Sequence, residues 1–360
     1  MLGHDSQNAE MVLRFGRFNK SLVQIRQVLP SGQERKLAHS GDSESFMITE
    51  KIDEITRIAP EYRNTVLPAP KSVKIELTGK CNFACTFCAR SDVLREQKHM
   101  SFDLYKKLVK DMREAGVEEL GVFYLGESFM VPWLPEAIKY AKDIGFPYVF
   151  LTTNGSLAFP DRVEACMKAG LDSLKFSYNY ADGEQLHDIA RVKERFFQTI
   201  QSNIKDAFKI RETGGHKCGL YASYIEYDGE QKERMLRAVE EIRPYVDEVY
   251  GLPLYNQAAT TVVVNREKAR GWKPIAGNRG RADALRDPLP CWATFTEGHI
   301  TSDGKLSACC FDHDGRFHMG DLNTTSFMDA WNSQEFQDLR AAHLKMDVTG
   351  TACEKCVAYS

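Results

Sequence analysis

LTGKCNFACTFCARSD, residues 77–92, carries three cysteines, Cys81, Cys85 and Cys88, in a C-x3-C-x2-C spacing. The stretch follows SVKIEL (72–77), an apolar, β-branched run with the character of a strand. A loop at the carboxyl end of a strand is where parallel α/β folds place their chemistry. Thiolates are soft ligands, suited to zinc or to iron–sulfur. Structural zinc gathers four ligands, commonly as two C-x2-C or C-x2-H pairs. Three cysteines in eight residues, with no histidine beside them, fit that poorly. Three cysteines do suit three irons of a four-iron cluster, and the fourth iron then stays open as a catalytic metal site requires.

Outward from this loop, residues 71–256 alternate strand and helix. SFDLYKKLVKDMREAG (101–116) predicts a helix capped by Ser101, apolar at Leu104, Leu108 and Met112, and stopped by Gly116. LGVFYL (120–125) is the second strand, then a helix through LPEAIKYAKDIG. YVFLTT (148–153) is the third, then PDRVEACMKAG with Pro160 at the first helical position. SLKFSY (173–178) is the fourth, with one long helical stretch to about residue 212. GLYASYIEY (219–227) and DEVYGLPL (247–254) are the fifth and sixth, separated by EQKERMLRAVEEI. Six such repeats imply an α/β fold with a parallel sheet, curled or open.

Residues 1–70 precede the repeats. MVLRFGRFNKSLVQIRQVL predicts a strand pair turning near Asn19, and Ile52, Ile55 and Ile58 lie at helical spacing. Residues 257–290 are an irregular linker with seven Lys/Arg against three acids between Asn265 and Asp287. Residues 291–360 form a second cysteine region with one helix around SFMDAWNSQEFQDLRAAHL.

The 360 residues are 43% hydrophobic and 27% charged, ordinary for a soluble globular protein. A net charge of −3 gives no reason to expect nucleic acid or an anionic membrane as partner. No apolar run approaches 18 residues and the N-terminus lacks a signal-peptide core, so a cytoplasmic protein is expected. Ten cysteines are many for that compartment, where clustered cysteines bind metal or do redox chemistry. Cys166, mid-helix, and Cys218, at the foot of the fifth strand, are expected to be core.

CNFACTFC is similar to the signature C-x3-C-x-aromatic-C of the radical S-adenosylmethionine (SAM) superfamily, with Phe87 as the aromatic residue. The resemblance runs from about Ser72 to Leu254 and implies a partial (β/α)6 barrel. It implies a 4Fe–4S cluster on Cys81, Cys85 and Cys88, with SAM on the open iron. One electron then cleaves SAM to methionine and a 5′-deoxyadenosyl radical, which takes hydrogen from an unactivated C–H bond. YLGES (124–128) matches the family's Gly-Gly-Glu-Pro motif at Gly126 and Glu127, implied to hold the SAM amino group, and departs from it at Leu125 and Ser128. Asn154 in TTNGS and Ser177 in KFSYN stand where the family's SAM contacts lie, although turn capping would also explain both. Where an acidic residue often follows Ser177, this chain has Asn179. Arg191 is a further candidate for the SAM carboxylate.

The second group, C-x12-G-x4-C…C-x2-C, runs through Cys291, Gly304, Cys309, Cys353 and Cys356. It resembles the SPASM extension in its shortened twitch form, which implies one auxiliary 4Fe–4S cluster on those four cysteines. Alone it would also suit a zinc ribbon. Cys310 is an alternative ligand, a hydrogen donor or filler. Substrate-facing candidates at strand tops are Tyr224 and Glu226 on the fifth strand, and Tyr255 and Asn256 after the sixth.

Three functions follow. One is a radical enzyme acting on a small polar metabolite such as a sugar, aminocyclitol or nucleotide-sugar, by oxidation, epimerisation or coupling. The linker residues Arg266, Lys268, Arg270, Lys273, Arg279 and Arg281 could hold its phosphate, or form a solvated linker. The second is a maturase of a precursor peptide. The third is a non-catalytic zinc or iron–sulfur scaffold. The expected reductant is a flavodoxin or ferredoxin.

Overall fold

A computed structural model describes residues 26–28, 34–36, 47–92, 95–260 and 275–357. Residues 1–46 and 47–360 form two compact units. In the first, strands β1 (Arg26–Val28) and β2 (Glu34–Lys36) pair antiparallel. The turn expected near Asn19 lies outside the described residues.

The second unit opens with helix α1 (Ile48–Thr56). Six strands follow in chain order: β3 (Ser72–Ile75), β4 (Glu119–Gly121), β5 (Tyr148–Thr153), β6 (Ser173–Ser177), β7 (Gly219–Ile225) and β8 (Glu248–Leu252). Each pairs parallel with the next. Between them run α2 (Phe102–Glu114), α3 (Leu134–Asp143), α4 (Pro160–Lys168), α5 (Gly183–Ala190), α6 (Phe196–Gly214) and α7 (Gly229–Ile242). Parallel strands need such crossovers, and the helices bury the sheet's outer face. The Ser101 hydroxyl caps α2 by accepting from the Leu104 N–H at 3.2 Å. That cap directs Tyr105, Leu108, Val109 and Met112 inward, all buried.

The long helical stretch expected after the fourth strand is two helices. Arg191 takes a left-handed conformation, φ 57°, at the end of α5. A helix cannot continue through that backbone.

The second cysteine region shares the main sheet. Strand β9 (Glu297–Ile300) pairs parallel with β3. Strands β10 (Lys305–Ser307) and β11 (His318–Asp321) then extend the edge antiparallel, giving the order β11-β10-β9-β3-β4-β5-β6-β7-β8. The single helix expected near residue 335 is also two, α8 (Phe327–Trp331) and α9 (Gln334–Leu344). Ser333 restarts the helix by accepting from the Phe336 N–H. A short helix α10 (Glu354–Val357) carries Cys356.

Helix α1 lies at the amino ends of the strands. Lys51 pairs with Glu119, the first residue of β4, at 3.5 Å, and stands over the Tyr148 ring at 4.1 Å. Thr49 Oγ1 donates to Glu248, the first residue of β8, at 2.6 Å. The floor of the curled sheet is thereby plugged, and the strand carboxyl ends remain for the site.

Candidate functional site

The loop after β3 brings Cys81, Cys85 and Cys88 together, each half-buried. Its backbone is pinned by α5: the N–H groups of Ala84 and Thr86 donate to the Ala190 and Ile189 carbonyls at 3.0 and 2.8 Å. These are among the helix's last carbonyls, which need partners from outside the helix. Burial, then Glu127 and Cys88, push the Cys81 thiol up to about 11. Burial, then Cys88 and Cys81, push Cys85 up further. Buried thiols that repel one another's charge ionise only when positive charge joins them, which is what a bound metal cluster brings.

Two side chains contact these sulfurs. Tyr180 Oη lies 2.9 Å from Cys85 Sγ. Asn154 Nδ2 is 3.8 Å from Cys81 Sγ and donates to Asn82 Oδ1 at 3.0 Å, while Asn154 Oδ1 accepts from Ser156 N–H and hydroxyl.

Gly126 passes directly over this loop. A Cβ there would stand 1.9 Å from the Thr78 carbonyl oxygen and 2.7 Å from that of Lys80, so no side chain fits. The next residue, Glu127, is buried. Its carboxylate accepts from Phe129 N–H at 3.1 Å, Thr153 Oγ1 at 2.9 Å and Asn154 N–H at 2.8 Å. Burial raises its pKa, against those three bonds. Glu127 thus ties the loop after β4 to the loop after β5. About one of a carboxylate's four acceptor positions remains for an outside donor.

The second group surrounds a small cavity lined by Cys291, Cys309, Cys310, Cys353 and Cys356. Burial raises the Cys291 thiol, with further repulsion from Cys353, Cys310 and Cys356. Cys309 is raised first by its hydrogen bond with Cys310, then by burial. His343 sits behind the group, accepting at Nδ1 from Cys291 N–H at 3.2 Å, with Nε2 3.4 Å from Cys353 Sγ. Five half-buried thiols exceed the four that close a cluster. Among the described residues no group of three His, Cys, Asp or Glu side chains closes on a single metal ion; in number and kind, three thiols and a set of four are the donors of a wider iron–sulfur cluster.

Between the two groups lies a cavity of about 420 Å³ inside the curl of the sheet. Phe87, beside Cys88, forms one wall, and Cys310 with Phe311 forms another. Tyr124 bridges the walls: its hydroxyl donates to the Cys309 carbonyl and accepts from Asp312 N–H at 3.0 Å. Gln257 reaches across from the linker, accepting from Ala89 N–H at 3.0 Å. Gln257, Ala258 and Ala259 all take positive φ, between 47° and 66°, which costs non-glycine residues about 1–2 kcal/mol each. The bond to Ala89 and that of Arg316 to the Ala258 carbonyl hold this turn in place.

The expected residues divide. Phe87, Ser177, Tyr255 and Cys310 line the cavity. Glu127, Asn154 and Gly126 pack around the first cysteine loop. Arg191 is exposed at the end of α5, next to the carbonyls that hold that loop. Tyr224 and Glu226 do not line the cavity. Strand alternation turns Ser223 and Ile225 inward and their neighbours outward, and Glu226 lies against Gly251 on the outer face. Asn256 is buried against the second group, donating to the Cys356 carbonyl at 2.9 Å. Of the linker cations, Arg266, Lys268, Arg270 and Lys273 lie outside the described residues. Arg281 is held by Asp53 and Asp283 at 2.7 and 2.6 Å, and Arg279 donates to the Arg286 carbonyl. Neither is poised for a phosphate.

Tyr180, Tyr124, Gln257 and Lys175 were not singled out by the sequence. For Lys175 a signal existed, since it stands two residues before Ser177 and so on the same face of the strand.

Residues 75–242 match the radical SAM superfamily, and residues 291–357 match an iron–sulfur cluster-binding domain, SPASM. Among curated proteins, a GTP 3′,8-cyclase of Chlorobaculum tepidum is 32% identical over 36% of this chain and 39% of its own length. A probable GTP 3′,8-cyclase of Methanothermobacter marburgensis is 22% identical over 76% of this chain and 92% of its own. Among solved structures, Streptococcus suis SuiB bound to S-adenosylmethionine superposes with a TM-score of 0.57 at 16% identity, covering 78% of this chain and 69% of that one. The parallel α/β fold, the three-cysteine loop and the two matches agree: the chain carries a radical SAM domain over residues 75–242 and a C-terminal SPASM iron–sulfur cluster-binding domain over residues 291–357.

Proposed function

We propose that this enzyme abstracts hydrogen from a small polar substrate, a sugar, aminocyclitol or nucleotide-sugar, held in the curl of the sheet. The observation that carries this reading is the cavity of about 420 Å³ that both cysteine groups border, through Phe87 on one side and Cys310 on the other. Its size is that of a small-molecule site. Cys81, Cys85 and Cys88 would hold the SAM-binding cluster, and Cys291, Cys309, Cys353 and Cys356 the auxiliary one. When bound, the first cluster supplies the electron that splits SAM into methionine and a 5′-deoxyadenosyl radical. The chain's own residues position the reactants. Asn154 and Tyr180 fix the orientation of the cysteine thiols. Gly126 lets the loop after β4 approach the cysteine loop, and Glu127 keeps an acceptor for the SAM amino group. Ser177 and Phe87 flank the space where the C–H bond would meet the radical. Cys310 and Tyr255 face the substrate from the auxiliary side, the direction in which an oxidation would pass its electron.

The test is anaerobic reconstitution followed by dithionite and SAM. Formation of 5′-deoxyadenosine, abolished in Cys85→Ala, is expected. Its absence from the wild-type protein would overturn the reading.

A further inference from the structure

Among the described residues six charged side chains face the central cavity: the cations Lys51, Lys74, Lys175 and Arg281, and the carboxylates Glu119 and Glu297. Three of the cations have carboxylate partners. Lys51 pairs with Glu119 at 3.5 Å, Lys74 with Glu297 at 2.7 Å, and Arg281 with Asp53 and Asp283. Lys175, midway along β6, has none among the described residues. Its Nζ donates to the Tyr250 hydroxyl at 3.2 Å, and Tyr250 is itself buried. Glu297 is the nearest acid in charge terms, but its oxygens are taken by Lys74, His299 and Ser72.

A half-buried ammonium without a carboxylate partner is costly, because the protein returns little of the hydration it removes. The same arrangement is favourable once a ligand brings a negative charge, since a desolvated charge-assisted hydrogen bond is among the strongest a site can offer. Among the described residues the two carboxylates that face the cavity, Glu119 and Glu297, are already paired with Lys51 and Lys74. Thr152, Ser173 and Ser223 line the same space with hydroxyls that can share an anionic oxygen.

We infer that the substrate carries an anionic oxygen group, carboxylate or phosphate, and that Lys175 is the residue that receives it in the depth of the sheet's curl. The substrate is thereby oriented: its anionic end points toward α1, and its reacting carbon stands above Ser177, near Phe87 and Cys310. Lys175 and Ser177 are two residue steps apart along the strand, about 6.6 Å, so the two ends are a few bonds apart. This inference rests on the proposed radical reading and narrows its substrate class. Burial, then Lys74, also lowers the Lys175 pKa to about 8, with Glu297 opposing, as a cation awaiting a partner would behave.

Calorimetric titration of the reconstituted enzyme with inorganic phosphate, and separately with acetate, at constant ionic strength tests it. Wild type and the exposed-site variant Lys110→Met should bind at least one of the two. Which one binds identifies the group. Lys175→Met and Lys175→Gln should each weaken that binding ten-fold or more, while Lys110→Met keeps both wild-type anion binding and wild-type 5′-deoxyadenosine formation from SAM and dithionite. No binding of either anion by wild type, or equal binding by the Lys175 variants, overturns the inference even if SAM is cleaved normally. Failure of wild type to form 5′-deoxyadenosine overturns instead the reading on which it rests.

Discussion

The Tyr180 hydroxyl lies 2.9 Å from the Cys85 sulfur, inside the loop that carries the superfamily signature. Tyr180 follows β6 and is buried, so the bond is shielded from water. A hydrogen bond to a cluster-bound thiolate favours the more negative, reduced state, and such bonds help set cluster potentials. Tyr180→Phe removes only that hydroxyl. Only the difference in the bond's strength between the two redox states shifts the potential; taken as that of one ordinary hydrogen bond, it is about 0.5–1.5 kcal/mol, and about 1.4 kcal/mol corresponds to 59 mV for one electron. The variant should therefore lower the midpoint of the first cluster by roughly 20–60 mV, read by a redox titration monitored by electron paramagnetic resonance. An unchanged midpoint would show that the tyrosine does not reach the cluster electrostatically.

Gly126 is required by contact with backbone. The atoms a Cβ would strike are the Thr78 and Lys80 carbonyls, which cannot turn aside as a flexible side chain can. Gly126→Ala must separate the loop after β4 from the cysteine loop, and with it the Glu127 N–H bond to the Lys80 carbonyl at 2.9 Å. Overpacking of this kind costs about 1–3 kcal/mol or more. The expected outcome is at least a halving of the iron retained at Cys81, Cys85 and Cys88, with the second cluster retained. Iron and sulfide analysis beside a Cys85→Ala control separates the two.

Much of this arrangement was legible in the sequence, because period and punctuation are local. The strand after Lys71, the cap at Ser101 and the proline start at Pro160 depend on neighbours within a turn. The first cysteine group was legible because its three members fall within eight residues. What failed was non-local. Tyr224 and Glu226 sit at a strand top as expected, yet the pleat directs them outward, and one residue of register decides that. Asn256 was placed beside the substrate, but the chain's return through α10 buries it against Cys356. Nothing near Glu297 in sequence shows that β9 joins β3 and delivers its carboxylate to Lys74, 223 residues away.

That carboxylate has a pH signature. Burial pushes the Glu297 carboxyl up, but Lys74 and His299 outweigh it and hold it at about 2, below its ordinary 4.5. A carboxyl depressed on folding stabilises the protein above its unfolded value, and the contribution disappears as pH falls from about 4.5 to about 2. Lys74→Met removes the partner and leaves Glu297 buried, at a cost of about 3–5 kcal/mol at pH 7. Thermal midpoints should show Lys74→Met well below wild type at pH 7, with the gap narrowing as Glu297 protonates in acid. Equal midpoints at pH 7 would mean that the pair contributes nothing.

Lys175 should behave oppositely. Its pKa falls on folding, from 10.5 to about 8. Between those values the unfolded chain holds the proton and the folded protein does not, so stability rises with pH across that window. Below about 8 the half-buried charge costs the fold at most on the order of 3 kcal/mol. Lys175→Met should therefore be more stable than wild type at pH 7, and the difference should shrink toward pH 10. A variant less stable than wild type at pH 7 would count against an uncompensated cation.

Tyr124 joins the two halves of the site through one hydroxyl. It donates to the Cys309 carbonyl and accepts from Asp312 N–H, while its ring stacks obliquely on His299 at 5.3 Å. Tyr124→Phe keeps the ring and leaves a buried carbonyl and N–H without that partner, a loss of about 1–3 kcal/mol. The loop bearing Cys309 and Cys310 would loosen, but the cysteine loop after β3 would not. Chelator challenge of the reconstituted protein should release iron from the second cluster several-fold faster than in wild type, with the first cluster's release unchanged. Equal release from both would mean that the hydroxyl supports the barrel as a whole and not the auxiliary loop.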